Sequence, residues 1–227
     1  MNIAIIPARG GSKRIPRKNI KLFCGKPIIA YAIESAKKSG CFDRVIVSTD
    51  DTEIAEIAKA YGADVPYVRS AKSSDDLATL HDVVIEVLRL LTESVTEANV
   101  ALILPTSPLL STATIYKVMA ELNNEDYDSV LTVVEYEVSP DKALGLSENG
   151  SIIRQNASKL VKRSQEQQTL YHDAGQIYAF RAEDVTKRKT LTGNQCKAVI
   201  LDRLNCQDID TPSDWVLAEM KYKLGRE

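Results

Sequence analysis

Short apolar runs alternate along the chain with longer segments whose apolar residues recur at helical spacing. The apolar runs predict strands at residues 3–6, 44–48, 65–68, 100–104, 129–134, 176–180 and 197–201. The periodic segments predict helices at residues 27–39, 52–61, 80–92, 112–122 and 212–224. Strands that alternate with helices build a mostly parallel sheet, which helices cover on both faces and which binds ligands at the carboxyl ends of its strands. The sequence therefore predicts an α/β fold.

The loop after the first predicted strand combines glycine with positive charge. Gly10, Gly11 and Ser12 lie in this loop, and glycine lets a backbone approach a bound anion closely. No acidic residue interrupts the cations of the loop, which are Arg9, Lys13, Arg14, Arg17, Lys18 and Lys21. Their charges favour a polyphosphate ligand over the alternative, a solvated surface turn. The P-loop pattern G-x-x-x-x-G-K-[ST] is absent, and no G-x-G-x-x-G follows the first strand, so neither a P-loop nor a dinucleotide fold is predicted.

Composition limits the classes of function. The chain of 227 residues is 44% hydrophobic and 26% charged, which is ordinary for a globular protein, and we expect a single domain over residues 1–227. A formal net charge of −2 argues against bulk binding to nucleic acid or to a membrane. The cysteines form no C-x-x-C pair, which argues against zinc. Reduced thiols then favour a cytoplasmic enzyme.

The alternation of strands and helices fails between residues 135 and 171. Polar residues, Gly145 and Gly150 replace the helical periodicity in this segment. A long irregular segment inside a domain is typical of a binding loop, a lid or a protruding arm.

Two carboxylates near the end of the chain predict a metal site. In an extended segment Asp208 and Asp210 project to the same side, and a cation between them would relieve their repulsion. With a polyphosphate loop nearby, Mg²⁺ is the expected ion. The alternative is helix capping, in which Thr211 is the N-cap and Asp214 lies in the first turn. Both can hold, because the cap does not need Asp208.

Several of these motifs together resemble one family. Pro7–Asn19, Val47–Asp51 and Asp208–Asp210 are similar to segments of the CMP-sialic acid synthetases, which are cytidylyltransferases for nine-carbon 2-keto sugar acids. Tyr171–Tyr178, preceded by Arg163–Gln165, resembles the branch of this family that uses pseudaminic acid. The resemblance implies a Rossmann-like, three-layer nucleotidyltransferase core and a homodimer. It also implies that residues 135–171 form an arm that reaches the partner's sugar site.

The chain departs from the family pattern at two places. Ala174 and Gly175 stand where sialic acid members tend to have Asn-Gly, and Leu104 precedes Pro105–Pro108 where family members often have Gln. The lost amide weakens a direct transfer of the sialic acid contacts to this chain.

The resemblance also implies roles for individual residues. Nucleotide contacts are expected from Ala8, Arg9, Ser12, Lys13, Lys18, Asn19, Arg69, Asp76, Ala78 and Thr79. Sugar contacts are expected from Lys142, Arg163, His172, Asp173, Gln176 and Tyr178. The catalytic set is expected to be Arg9, Lys18, Arg163, Asp208 and Asp210.

The implied reaction transfers CMP from CTP to the anomeric hydroxyl of a nonulosonic acid, with pseudaminic acid favoured. The same reaction on N-acetylneuraminic, legionaminic or 3-deoxy-octulosonic acid stays open. From another class, the chain could be a catalytically silent nucleotide-binding module, although the paired aspartates and the full set of cations argue against it.

Overall fold

The structure is a computed structural model that describes residues 1–75, 77–91, 95, 97–154 and 169–225. In chain order its strands are β1 (Asn2–Pro7), β2 (Leu22–Phe23), β3 (Lys26–Pro27), β4 (Arg44–Ser48), β5 (Asn99–Ile103), β6 (Ser129–Glu135), β7 (Leu144–Leu146), β8 (Ile152–Arg154), β9 (Tyr171–Arg181) and β10 (Cys196–Leu201). Its helices are α1 (Ile28–Lys38), α2 (Thr52–Ala60), α3 (Ala71–Ser74), α4 (Leu80–Leu90), α5 (Thr112–Leu122), α6 (Ala182–Lys187) and α7 (Pro212–Leu224).

The central sheet has six strands in the order β10-β6-β9-β5-β1-β4. Strand β1 pairs in parallel with β4 and β5, and β10 pairs in parallel with β6. Strand β9 runs antiparallel to both of its neighbours. The prediction of a mostly parallel sheet is confirmed, and the strand predicted at residues 176–180 is the one that departs from it, because it lies in β9. No crossover helix separates β6 from β9 in the described residues, so the chain returns in the opposite direction.

Helices cover both faces of the sheet, as predicted. Along β1, Ala4 and Ile6 pack into one core cluster together with residues of α1 and α5. Ile3 and Ile5 pack into a second cluster with α4 and α6. All four side chains are fully buried, which explains why β1 reads as a continuous apolar run and not as an alternating one.

The strand predicted at residues 65–68 is absent. Only a single parallel bridge between Ile46 and Asp64 extends the sheet beyond β4. Pro66 has no N–H to donate to a ladder, and Val68 is 78% exposed, so this short run does not pair as a strand.

The segment after β6 contains a short hairpin. Strands β7 and β8 pair antiparallel and form a two-stranded sheet separate from the central one. Leu146 and Ile152 are opposite each other in this pair, and Leu144 lies two residues from Leu146, so all three share one face. They are 55% (Leu144), 73% (Leu146) and 64% (Ile152) exposed. The rest of the predicted arm includes residues 155–168, which lie outside the described residues.

Helix α7 closes the end of the chain against the start of the fold. Thr211 and Asp214 form a capping box at its N-terminus, so the capping interpretation of this segment is confirmed. Trp215 packs with Phe23, Tyr31 and Ile209 in a third apolar cluster. Among the described residues, no helix has the length and apolar character needed to span a membrane.

Candidate active site

A cavity of about 470 Å³ lies where the basic loop after β1 meets the segment before α7. It brings together most residues that the sequence assigned to a nucleotide and a metal. Its lining includes Arg9, Ser12, Lys13, Lys18, Asn19, Arg69, Ala78, Thr79, Asp208 and Asp210. Ala8 is fully buried behind the loop. Asp76 and Arg163 lie outside the described residues.

The basic loop is tied to the rest of the cavity wall by its own side chains. Lys18 begins a 3-10 helix, and its Nζ donates a hydrogen bond to the carbonyl of Ile209 at 2.7 Å. The same nitrogen lies 3.4 Å from Oδ1 of Asp210. Asn19 is 6% exposed, and its Nδ2 donates to the carbonyl of Arg9 at 2.9 Å. These contacts fix the conformation of the loop in the ligand-free protein.

Asp208 and Asp210 face the cavity because Ile209 between them is fully buried in the apolar cluster beside α7. Arg14 reaches Oδ2 of Asp210 at 2.9 Å. Desolvation by the surrounding protein, together with the charge of Asp210, raises the pKa of Asp208 above its usual value. Two adjacent carboxylates, one of them with a destabilised charge, make a donor set that suits a hard cation such as Mg²⁺. No cluster of three or more His, Cys, Asp or Glu side chains suited to a metal occurs in the part of the chain that the structure covers.

Arg69 brings a buried cation to the cavity wall. Its side chain donates from Nη2 to the carbonyl of Ser73, and its backbone N–H donates to the carbonyl of Thr49 at 2.8 Å. Burial lowers the pKa of Arg69, which is only 7% exposed. Its Nε has no hydrogen-bond partner among the described residues. The residue thus has one unsatisfied donor at a cavity that is rich in other cations.

A second cavity of about 440 Å³ adjoins the first and shares Thr79 and Leu80 with it. Tyr178 and Asp173 of β9 lie in its wall, and the Tyr178 hydroxyl donates to Oδ2 of Asp173 at 2.6 Å. The backbone N–H of Gly175 donates to the other oxygen of Asp173 at 2.8 Å. Burial and the adjacent carboxylate raise the pKa of Tyr178, so the phenol stays protonated and Asp173 is a fixed hydrogen-bond acceptor.

Sequence reasoning missed much of this second cavity. Its other wall residues include His81, Leu131, Lys189, Thr190, Leu191, Thr192 and Cys196. They come from α4, from two sheet strands and from the loop before β10. No local pattern marks them, since they meet only after β9 has inserted between β5 and β6.

Three of the residues that are expected to contact the sugar do not line this cavity. Gln176 is 1% exposed and donates from Nε2 to the carbonyl of Asn205 at 3.0 Å, while its Oε1 has no hydrogen-bond partner among the described residues. The ring of His172 lies 4.7 Å from that of Tyr136 on the exposed start of β9. Lys142 ends a 3-10 helix before the hairpin and lines neither cavity. Of His172, Asp173 and Gln176, only Asp173 lines this cavity, and the pairing register of β9 with β6 shifts within this segment.

Comparison with known proteins places this site in a family. A sequence model described as cytidylyltransferase matches residues 3–206. The chain belongs to the cytidylyltransferase family. The resemblance seen in its motifs is thereby confirmed, and with it the prediction of a nucleotidyltransferase enzyme.

This cytidylyltransferase is similar to curated relatives along its whole length. It is 36% identical over 227 residues to a pseudaminic acid cytidylyltransferase of Campylobacter jejuni, covering 100% of this chain and 98% of the relative. It is 33% identical over 227 residues to a CMP-N,N'-diacetyllegionaminic acid synthase of Legionella pneumophila, covering 99% and 97% of the two chains.

A solved structure confirms the fold class of the cytidylyltransferase. The structure is of a CMP:2-keto-3-deoxy-manno-octonic acid synthetase complexed with CTP, and it superposes with a TM-score of 0.71 at 17% identity. The match covers 100% of this chain and 99% of that one, so the Rossmann-like nucleotidyltransferase architecture extends over all of it.

Proposed function

We propose that this enzyme transfers CMP from CTP to the anomeric hydroxyl of a nonulosonic acid, most favourably pseudaminic acid, and releases pyrophosphate. The observation that carries the proposal is the pair of adjoining cavities, one lined by the basic loop and two aspartates, the other by the Asp173–Tyr178 pair. Full-length identity of 36% to a pseudaminic acid cytidylyltransferase supports the choice of sugar.

The first cavity suits a nucleoside triphosphate. Arg9, Ser12, Lys13 and Lys18 line one wall and would hold the phosphates by charge-assisted hydrogen bonds. On the nucleoside side, the backbone of Ala8 and the residues Asn19, Arg69, Asp76, Ala78 and Thr79 would complete the pocket. Arg69, which is 7% exposed, would place a positive charge beside the bound nucleotide. Catalysis then rests on positioning two anions against each other and neutralising their charge.

Asp208 and Asp210 would hold Mg²⁺. When bound there, the ion would polarise the α-phosphate for in-line attack. The raised pKa of Asp208 fits this role, because a nearby cation would relieve the cost of its charge. Lys18 and Arg9 would stabilise the departing pyrophosphate.

The sugar acid would occupy the second cavity. Asp173 and Tyr178 present a hydrogen-bonded pair there, and polar groups of this kind reject analogues that leave them unpaired. Contacts from Lys142, Arg163 and His172 rest on the family resemblance alone. If the arm reaches across a homodimer, these residues would act on the partner's site.

We also propose that the enzyme is a cytoplasmic homodimer that binds neither nucleic acid nor membranes. No disulfide joins its four cysteines, which suits a reducing compartment. Its net charge of −2 gives no general attraction to polyanions.

Pyrophosphate release with CTP and a panel of purified sugar acids tests the proposed function. We expect pseudaminic acid to be used at least ~100-fold more efficiently than N-acetylneuraminic acid, because a site that hydrogen-bonds the substituents of its substrate discriminates strongly against analogues that lack them. A preference for legionaminic acid would move the enzyme to another branch. No release with any nonulosonic acid would contradict the proposal.

A further inference from the structure

Arg17 belongs to the basic loop but not to the cavity. The lining of the cavity includes Arg14, Ile15 and Lys18 on either side of Arg17 but not Arg17 itself. Its backbone is left-handed, with φ 54° and ψ 32°, a conformation that non-glycine residues rarely adopt. The side chain is thereby directed to the turn after β4 instead of the phosphate side.

Asp51 receives the guanidinium of Arg17. Nη1 donates to Oδ2, and Nη2 donates to Oδ1 at 2.9 Å, which is the two-pronged geometry of a strong ion pair. Glu53 accepts a further bond from Nη2. The Asp51 side chain is only 21% exposed, and its Oδ1 also accepts from the backbone N–H of Ile54 as the N-cap of α2. Asp51 is therefore fixed to the rigid core and holds Arg17 from there.

The other end of the loop rests on the same turn. The backbone N–H of Gly10 donates to Oδ1 of Asp50 at 2.9 Å. A Cβ at Gly10 would lie 2.7 Å from Oδ2 of Asp51, closer than real side chains come. Gly10 thus lets the Asp51 carboxylate pack on the backbone, which accounts for the glycine without any ligand.

We propose that Asp51 is a positioning residue, which clamps the phosphate loop at Gly10 and Arg17 so that Arg9, Lys13 and Lys18 face the nucleotide. Arg17 then supports the loop through Asp51 and does not bind phosphate. The inference rests on the proposed function only for the identity of the ligand. It gives a role to the Val47–Asp51 segment, whose resemblance to the family carried no chemistry in the sequence.

The ion pair between Asp51 and Arg17 is present near neutral pH. Hydrogen bonds from Arg17 lower the pKa of Asp51 below its usual range, so the carboxylate stays ionised. The pair of Arg17 and Asp51 therefore holds the loop in the ligand-free protein.

The test compares Asp51→Asn with Asp64→Asn. Asparagine keeps the N-cap of α2 but loses the charge that holds Arg17. Asp64 pairs with Arg44 at 3.2 Å on the surface near the other end of β4, so its variant removes a matched ion pair away from the loop. We expect Asp51→Asn to raise the KM for CTP at least tenfold and to change the KM for the sugar acid less than twofold. We expect Asp64→Asn to match the wild type.

Arg17→Gln provides an independent variant if Asp51→Asn folds poorly. It should raise the KM for CTP to a similar extent, and the double variant should be no worse than either single one, because both changes remove one interaction. Additive effects, or an unchanged KM in both single variants, would overturn the proposal.

Trypsin gives a readout that needs no substrate. Without CTP, Asp51→Asn should be cleaved after Lys13 or Arg14 at least fivefold faster than the wild type, and Asp64→Asn at the wild-type rate. Equal cleavage of all three proteins would contradict the clamp. If the wild type failed to use CTP, the proposed function would fall while this comparison still decided the inference.

Discussion

At the scale of single residues, Asp208 is a site residue whose charge lowers the stability of the fold. Its raised pKa arises from desolvation and from the charge of Asp210. A carboxyl group with a higher pKa in the folded protein stabilises the fold fully only below its unfolded pKa of ~4. That contribution is lost as the pH rises through the folded pKa. Near neutral pH the ionised side chain therefore opposes folding.

Asp208→Asn should accordingly keep or raise the melting temperature near neutral pH while lowering kcat by about 100-fold or more, the scale for losing one preorganised charge. The advantage in melting temperature should shrink as the pH falls toward ~4, where the wild-type carboxyl is protonated. Calorimetry at several pH values and steady-state kinetics measure both effects. Asp126→Asn, on an exposed loop, is the control. A lower melting temperature at neutral pH would show that the charge of Asp208 is already compensated.

Lys18 joins the loop to the aspartate segment through Ile209 and Asp210. Lys18→Ala should lower kcat/KM about 100-fold, or ~3 kcal/mol, because one charge facing the phosphates is removed. Lys38→Ala, which removes an exposed lysine paired with Glu34, should have no effect on turnover. A loss of kcat/KM below tenfold for Lys18→Ala would contradict a role for this charge in binding the phosphates.

At the scale of elements, β9 is where local sequence and structure differ most. Its apolar half, residues 176–180, was predictable from pattern, but its polar start at residues 171–175 and its direction were not. Direction depends on which strands it pairs with, and no local pattern encodes that choice. Gly175 has φ +63° in the middle of this strand, and a Cβ there would lie 3.6 Å from Cγ of Asp208.

Gly175→Ala should lower the free energy of unfolding by about 1–2 kcal/mol, the cost of a left-handed alanine. It should also lower kcat, because a backbone that relaxes from this conformation would shift beside Asp208. Gly150→Ala is the matched control, since Gly150 has φ +82° and open space around it in the hairpin turn. Denaturant unfolding should show a similar loss of unfolding free energy for both variants. Steady-state kinetics should show a lower kcat for Gly175→Ala alone. Equal kinetics in the two variants would contradict the link to Asp208.

Helix predictions succeeded where one residue type has one physical use. Thr211 and Asp214 predicted the start of α7 through capping. Four of the six cations after β1, namely Arg9, Lys13, Arg14 and Lys18, line one cavity with the Asp208–Asp210 pair. Prediction failed where long-range packing decides. Val65–Val68 has strand-like residues without a partner, and the wall around Tyr178 assembles from distant elements. Gln176 donates a hydrogen bond to the carbonyl of Asn205, and no pattern in the sequence indicates this structural use of the residue.

At the scale of the whole molecule, the β7–β8 hairpin exposes an apolar face formed by Leu144, Leu146 and Ile152. A two-stranded hairpin is only marginally stable by itself in water, so a covering surface is expected. A second copy of the chain is the cover that the proposed homodimer supplies.

Replacing Leu146 and Ile152 together by serine should shift the protein from dimer to monomer, because apolar area at the interface is lost. Sedimentation velocity over a range of concentrations measures the change. Val216→Ser, which alters an apolar residue 50% exposed on α7, is the control. A wild type that sediments as a monomer, or a double variant that stays dimeric, would contradict the role of the hairpin.

The contacts of Asp210 with Arg14 and Lys18 have a thermodynamic consequence. In the ligand-free protein these opposite charges neutralise one another across the cavity. An arriving triphosphate frees the aspartate by drawing the two cations away, and an arriving divalent ion frees the cations by occupying the aspartate. Each ligand thus removes a competitor of the other, and by linkage the effect must be mutual. Nucleotide and metal should bind with positive cooperativity even if they never touched.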